Sequence, residues 1–149
     1  MILITGVAGF IGFHTAQALL KKGEQVIGID NMNDYYDPAL KKARLQLLQG
    51  QDGFIFHEAD IADRTAIENI MAQHKDITRI IHLAAQAGVR HSLSNPHTYG
   101  ESNMMGHLVM LEAARHCDGL THFVYASSSS VYGVNTTQPF AVDDVVNEP

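Results

Sequence analysis

Three regularly spaced glycines constrain this chain more than any other feature. Gly6, Gly9 and Gly12 lie between an apolar run at residues 1–5 and a helical pattern that continues to Lys22. Glycine lets the backbone turn sharply, and a helix N-terminus presents N–H donors and a positive dipole end to a phosphate. The spacing G-x-x-G-x-x-G in this strand–loop–helix context therefore predicts a dinucleotide-binding loop. A tight turn without a ligand would also use these residues.

Strand and helix patterns alternate along the rest of the chain. Helix-start signals stand at Asp37-Pro38, at Asp63 and at Asn95-Pro96, where a long helix begins and continues through Ala114. Apolar runs predict five strands, at residues 1–5, 25–30, 54–56, 79–83 and 121–125. This alternation predicts an α/β fold, a Rossmann-type doubly wound parallel sheet with strand order 3-2-1-4-5. No sixth strand follows, so we expect the sheet to be incomplete on its C-terminal side.

Length and charge narrow the class of protein. A chain of 149 residues predicts one domain. Its 10 Lys and Arg against 16 Asp and Glu argue against a partner such as nucleic acid or an anionic membrane. No apolar run approaches the roughly 20 residues of a spanning helix. A single cysteine, Cys117, and no export signal predict a cytoplasmic location. The nine histidines show no metal-ligand spacing, so we expect no metal site.

An acidic residue at the end of the second strand supports a nucleotide cofactor. Asp30 stands where a carboxylate can accept hydrogen bonds from both ribose hydroxyls. The Asp30 carboxylate would repel a 2′-phosphate. No Lys or Arg lies between Asp30 and Lys41, so we expect no paired cation to offset this repulsion. The pattern therefore favours NAD over NADP. A turn-forming Asp at a strand end is the alternative interpretation.

The other strand ends carry weaker signals at the same edge of the predicted sheet. Asp60 and Ile61 follow strand three, where an adenine edge would lie. Small residues at 83–88 close strand four, where they suit a flat ligand or helix packing equally well. Four serines at 127–130 end strand five, where hydroxyls can bind a polar substrate or form a turn.

Together these stretches resemble the extended short-chain dehydrogenase/reductases, and within them the NAD-dependent epimerase/dehydratases. The motifs that carry the resemblance are Thr5-Gly6-Val7-Ala8-Gly9-Phe10-Ile11-Gly12, His82-Leu83-Ala84-Ala85 and Ser127-Ser128-Ser129-Ser130-Val131-Tyr132-Gly133. Residues 30–38, 85–90 and 95–97 are similar to UDP-glucuronate 4-epimerases in particular. His91 departs from that subgroup, in which a Tyr is expected.

The resemblance implies the site residues. Ser128 would be catalytic and would hydrogen-bond the sugar 4-oxygen, while Ser129, Ser130, Gly88 and Arg90 would lie near a UDP-sugar, with UDP-glucuronate preferred. The implied NAD contacts are Gly6, Gly9, Phe10, Ile11, Gly12, Asp30, Asn31, Asn33, Asp60, Ile61, Leu83, Ala84, Ala85, Gln86 and Asn103.

The family mechanism is reversible oxidation at the sugar 4-position. A base removes the 4-hydroxyl proton while NAD takes the hydride, the 4-keto sugar rotates, and hydride returns to the other face. The family's base is a Tyr with a Lys four residues later, and no such pair follows Ser130. We therefore expect residues 1–149 to be a truncated NAD-binding domain that lacks the catalytic Tyr and Lys and the substrate domain. Alone, the chain would be inactive.

Other functions remain open from the sequence. The same scaffold serves dehydratases, decarboxylases and reductases, although dehydratases carry an Asp-Glu pair where Ser129-Ser130 stand here. A non-catalytic NAD-binding module is a further alternative. The family forms homodimers through the long helix and the helix that carries the base, so a homodimer is expected.

Overall fold

A computed structural model describes residues 1–134 and 138–146, and its centre is a five-stranded sheet. All four pairings in the sheet are parallel, and the strand order is β3-β2-β1-β4-β5. The strands are β1 Ile2–Thr5, β2 Val26–Asp30, β3 Phe54–Glu58, β4 Arg79–His82 and β5 His122–Tyr125. The predicted fold class and strand order are confirmed.

Six α-helices connect and flank the strands in the described residues. They are α1 Phe10–Leu20, α2 Pro38–Gln49, α3 Arg64–Gln73, α4 Val89–Ser94, α5 Pro96–Tyr99 and α6 His107–Arg115. Two predicted caps are confirmed, because the Asp37 carboxylate accepts a hydrogen bond from the Ala39 N–H and that of Asp63 accepts one from the Ala66 N–H. Helix α4 was not predicted from the sequence, since it buries no side chain and so shows no apolar period.

The long helix predicted from Asn95-Pro96 is present but changes its winding. Between α5 and α6, residues Gly100–Gly106 form a π-helical segment. Gly106 lies so close to the β3–α3 loop that a Cβ there would lie 2.7 Å from side-chain atoms of Ile61. π-Helical turns are rare and often accompany functional sites. Here the segment carries Asn103, which contacts the loop after β4.

Apolar side chains fill both faces of the sheet. Successive residues of β1 point to opposite faces, and all four are buried. One core packs under α3 and α6 and includes Leu3, Ile27, Ile67, Ile80 and Met110. The other packs under α1 and α2 and includes Ile2, Ile4, Phe13, Val26 and Leu48. Within the described residues, no helix is long and apolar enough to cross a membrane.

The strand register brings the functional loops to one edge of the sheet. Thr5 pairs with Ile29 and with His82, and His82 pairs in turn with Tyr125. The loops that follow β1, β2, β4 and β5 therefore begin side by side. In open parallel sheets this carboxyl edge is where ligands bind, at the point where the strand order reverses.

Candidate cofactor-binding site

The glycine loop is shaped by close backbone contacts. Gly6 has a φ of +71°, and a Cβ there would lie 2.9 Å from the backbone nitrogen of Ala84. A Cβ on Gly12 would overlap the carbonyl oxygen of Gly6. Only glycine allows β1, β4 and the first turn of α1 to approach this closely. Gly9 precedes α1, whose first turn carries no acidic side chain, so its N-terminus favours an anion.

A groove of about 490 Å³ opens in front of this loop. It follows the carboxyl edge of the sheet from the β2–α2 loop to the end of β4. Among the residues predicted to hold a cofactor, those that line it are Gly6, Gly9, Phe10, Ile11, Gly12, Asp30, Asn31, Asn33, Ile61, Ala84, Ala85 and Gln86. Asp60, Leu83 and Asn103 do not line the groove. Asp60 and Asn103 nevertheless hydrogen-bond to Asn31 and Gln86, which do line it.

Asp30 is buried at the end of β2 and accepts three hydrogen bonds. Its Oδ2 accepts from the Ala8 N–H at 3.0 Å, which ties it to the glycine loop. Its Oδ1 accepts from the Met32 N–H at 2.9 Å and from Lys41 Nζ at 3.3 Å. The expectation that Asp30 has no paired cation is wrong, because the first turn of α2 brings Lys41 back to β2.

Asp60 acts on the groove through Asn31. Its Oδ2 accepts a hydrogen bond from Asn31 Nδ2 at 2.8 Å, while its Oδ1 accepts one from the Ala62 N–H at 2.8 Å. Asn31 Oδ1 in turn accepts from the Asn33 N–H at 3.2 Å. The start of the β2–α2 loop is thus held against the β3–α3 loop, and this fixes the outer wall of the groove.

Asn103 holds the backbone of Gln86 from both sides. Its Oδ1 accepts from the Gln86 N–H at 2.7 Å, and its Nδ2 donates to the Gln86 carbonyl at 3.0 Å. A side-chain amide can satisfy both peptide groups in this way because it carries a donor and an acceptor. The π-helical segment therefore orders the residue that ends the groove after β4.

A buried pair of polar side chains joins β1 to the end of β4. The Thr5 hydroxyl accepts hydrogen bonds from the Leu83 and Ala84 N–H groups, each at 3.1 Å, and lies 2.8 Å from His82 Nδ1. With both N–H groups donating to it, the hydroxyl donates its own proton to Nδ1, so the neutral His82 ring carries its proton on Nε2. Burial, with a smaller contribution from His107, lowers the pKa of His82 to about 4.

The predicted catalytic and substrate residues lie beside the groove rather than in it. Ser128 Oγ donates to Ser130 Oγ at 3.1 Å and accepts from the Ser130 N–H at 3.2 Å, at the start of a 3₁₀ turn, Ser129–Tyr132. Ala126 bonds to the His82 carbonyl, so the serines begin at the same sheet edge. Gly88 has a φ of +97° and precedes α4, which carries the exposed Arg90.

Comparisons with known proteins agree with this geometry. Residues 3–147 match the family model described as GDP-mannose 4,6 dehydratase. The chain belongs to the NAD-dependent epimerase/dehydratase family. It is 51% identical over 147 residues to a 37.6 kDa protein of Escherichia coli O111:H-, covering 99% of this chain and 43% of that protein. It is 46% identical over 148 residues to UDP-glucuronate 4-epimerase 6 of Arabidopsis thaliana, covering 99% and 32%.

A solved epimerase of this family has the same fold. A UDP-glucuronic acid 4-epimerase variant from Bacillus cereus, in complex with NAD and UDP-4-deoxy-4-fluoro-glucuronic acid, superposes with a TM-score of 0.84 at 36% sequence identity. The match covers 99% of this chain and 46% of that one. The chain thus spans less than half the length of these epimerase/dehydratase relatives.

The groove fits NAD, the cofactor of the family. The glycine loop at the N-terminus of α1 suits a pyrophosphate, because the close backbone packing that requires glycine at positions 6 and 12 leaves no side chain between the helix N-terminus and the groove. A buried carboxylate at Asp30 suits a ribose diol. The small residues Ala84 and Ala85 leave room for a flat ring.

Several residues that line the groove were not predicted from the sequence. Lys41 and Arg44 line the groove although α2 shows an amphipathic pattern in which Leu40 and Leu47 would be expected to be buried. Those two leucines are exposed, and the buried side of α2 is Lys41 and Leu48. One sequence feature could have predicted that Lys41 lies in the groove: Asp30 ends a strand, and the first turn of the next helix carries a cation. The groove is also lined by Tyr35, Tyr36, Leu40, Ala59 and Ser102.

Proposed function

We propose that residues 1–149 bind NAD and form the cofactor domain of a nucleotide-sugar 4-epimerase whose substrate is UDP-glucuronate. The carrying observation is the groove in which the glycine loop, Asp30 and the Ala84-Ala85 edge lie along one sheet edge. The Bacillus cereus relative, which contains NAD and a UDP-glucuronic acid analogue, supports the choice of cofactor and substrate.

In this proposal each group of the chain has a separate task. NAD held in the groove would supply reversible hydride transfer with the sugar. Gly6, Gly9 and Gly12 orient the pyrophosphate, and Asp30 holds the ribose. Asn103 keeps the Gln86 backbone in position at the far end of the groove.

The substrate is proposed to lie on the β4–β5 side of the groove. Ser128 donates a hydrogen bond to the sugar 4-oxygen, and Ser129 and Ser130 face the sugar. Arg90, which is exposed, lies near the substrate together with Gly88. Serine hydroxyls do not act as bases near neutral pH, so the base is proposed to come from outside residues 1–149.

A chimera tests this proposal. Residues 1–149 are joined to the remaining part of the Bacillus cereus epimerase, and the product is assayed with UDP-glucuronate, UDP-glucose and GDP-mannose. We expect bound NAD and formation of UDP-galacturonate from UDP-glucuronate. The matched variant Ser128→Ala should retain NAD and lose activity by about a hundredfold. A chimera that does not bind NAD, or one whose activity is unchanged in Ser128→Ala, contradicts the proposal.

A sugar-nucleotide 4,6-dehydratase is the second candidate function. The matched family model is described as GDP-mannose 4,6 dehydratase, which favours it. Ser129 and Ser130 stand where the resemblance leads us to expect Asp and Glu in a dehydratase. Release of a 4-keto-6-deoxy sugar by the chimera would favour this alternative over epimerisation.

A homodimer is proposed as the working assembly. Four apolar side chains of the long helix are between 42% and 73% exposed: Met104, Met105, Leu108 and Leu111. Contiguous apolar surface of this kind marks an interaction site more often than a solvent-facing one.

A further inference from the structure

Lys41 is buried against Asp30, and none of the tasks assigned above uses it. Its side chain is 7% exposed and that of Asp30 is 6% exposed. We propose that Lys41 sets the discrimination between NAD and NADP. It compensates the charge of Asp30 in the unmodified protein and becomes the anchor for a 2′-phosphate once that carboxylate is removed. The inference rests on the proposed binding of the cofactor ribose at Asp30.

The hydrogen bonds of Asp30 leave little capacity for a ribose. An ionised carboxylate offers about four acceptor positions. Ala8, Met32 and Lys41 occupy three of them. While the ion pair is intact, Asp30 therefore accepts one ribose hydroxyl rather than two. A second contact to the ribose needs another group in the same place.

Lys41 is placed to make that second contact. Its ammonium donates to Asp30 Oδ1 at 3.3 Å and to Asn33 Oδ1 at 2.8 Å. An ammonium has three donors, so the bonds found in the described residues leave one for a ligand. Lys41 lines the groove, and the two bonds fix its position there.

The charges of Asp30 and Lys41 determine whether a 2′-phosphate is rejected or bound. Asp30 alone would reject a 2′-phosphate by like-charge repulsion, and a buried cation weakens that rejection. Removing Asp30 leaves Lys41 buried without its carboxylate, and a phosphate is a strong partner for such a cation. Arg44 also lines the groove, but its Nη1 donates to the Ala8 carbonyl at 3.3 Å and its guanidinium lies 5.8 Å from the Phe10 ring.

The test is calorimetric titration of the 149-residue chain with NAD and with NADP. In Asp30→Ala we expect the NADP affinity to rise by about tenfold, with a steep dependence on salt. The double variant Asp30→Ala/Lys41→Met should lose that gain. Lys41→Met alone should increase the preference for NAD over NADP by about threefold or more, because the carboxylate is then uncompensated.

Controls separate a specific role from a structural one. Lys42→Met changes the same charge on an exposed neighbour and should leave both affinities unchanged. Lys41→Arg keeps the positive charge and should preserve the ratio of the NAD affinity to the NADP affinity. A variant that is partly unfolded lowers both affinities by the same factor, so the ratio of the two affinities reports Lys41 directly.

Several results would overturn the inference without touching the proposed function. One is an equal loss of NAD and NADP binding in Lys41→Met. Another is an NADP gain that persists in Asp30→Ala/Lys41→Met, which would assign the effect to Arg44 or to relief of repulsion alone. Failure of the unmodified chain to bind NAD would instead contradict the proposed function, and with it the basis of the inference.

Discussion

The Thr5 hydroxyl donates its proton to Nδ1 of His82, 2.8 Å away, and this bond leaves the proton of the neutral ring on Nε2. The pKa of His82 lies near 4, against 6.5 for a free histidine, because the ring is buried and lies beside His107. As pH falls from 6.5 to about 4, the unfolded chain takes up a proton that the folded chain refuses. Stability should therefore fall over this range, by about 3 kcal/mol from this site.

Urea unfolding at a series of pH values checks this prediction. His82→Gln should be less stable near neutral pH and should show a flatter decline in the acid range. The matched control is His122→Gln, since His122 is exposed and should leave the slope unchanged. An identical acid slope in the unmodified chain and in His82→Gln would show that another group controls the loss.

Replacing Asn103 should weaken cofactor binding from outside the groove. Asn103→Leu removes both hydrogen bonds to the Gln86 backbone and leaves a partly buried N–H and C=O without partners. We expect about a tenfold loss of NAD affinity, which corresponds to about 1.4 kcal/mol. Asn103→Asp keeps the acceptor and loses the donor. Its NAD affinity, measured by calorimetric titration, should therefore lie between those of the unmodified chain and Asn103→Leu. An unchanged affinity in Asn103→Leu would mean that the Gln86 backbone does not need this support.

Adding one methyl group to the glycine loop should abolish cofactor binding. Gly12→Ala places a Cβ against the carbonyl oxygen of Gly6, which is backbone and cannot move aside without distorting the loop. The control is Gly100→Ala, where a Cβ would meet no atom within 4 Å. Alanine at position 100 should stabilise the helical segment by up to about 1 kcal/mol. Thermal melts and NAD titration of both variants separate the two effects, and normal binding by Gly12→Ala would contradict this role of the glycine loop.

Residues 1–149 alone should not epimerise a UDP-sugar. Proton removal requires a base within reach of the sugar, and the serines at 127–130 do not ionise near neutral pH. Incubation of the chain with NAD and UDP-glucuronate, followed by chromatography, should return unchanged substrate. Turnover would point to Tyr132, whose ring stacks on Phe140 at 4.5 Å, as the base. Loss of that turnover in Tyr132→Phe would then identify Tyr132 as the base.

The exposed face of the long helix should drive self-association. Met104 is 73% exposed and Leu108 is 49% exposed on adjacent turns. Light scattering should therefore report a dimer or a concentration-dependent mass, and Leu108→Glu should shift it toward the monomer. Val89→Glu is the matched control, because Val89 is an exposed valine on α4, a separate helix. A stable monomer at high concentration would contradict the proposed homodimer.

Local sequence patterns were sufficient to predict the sheet and the main features of its carboxyl edge. Strand order follows from alternating strands and helices, because each right-handed crossover leaves few ways to arrange a parallel sheet. The glycine loop and Asp30 were predicted because a turn at a strand end and its neighbouring helix are adjacent in sequence. These features depend on interactions within one βα unit.

Tertiary structure decided which polar groups meet. Lys41 is 11 residues from Asp30, Asn103 is 17 from Gln86, and Thr5 is 77 from His82. The amphipathic pattern of α2 favours burial of its leucines, but burial of a cation costs much less free energy once a buried carboxylate lies beside it. The π-helical segment Gly100–Gly106 likewise lies against Ile61 and Gln86, which are distant from it in the sequence. Sequence periodicity reports which residues are apolar, whereas pairing between distant polar groups depends on where the packed elements bring them together.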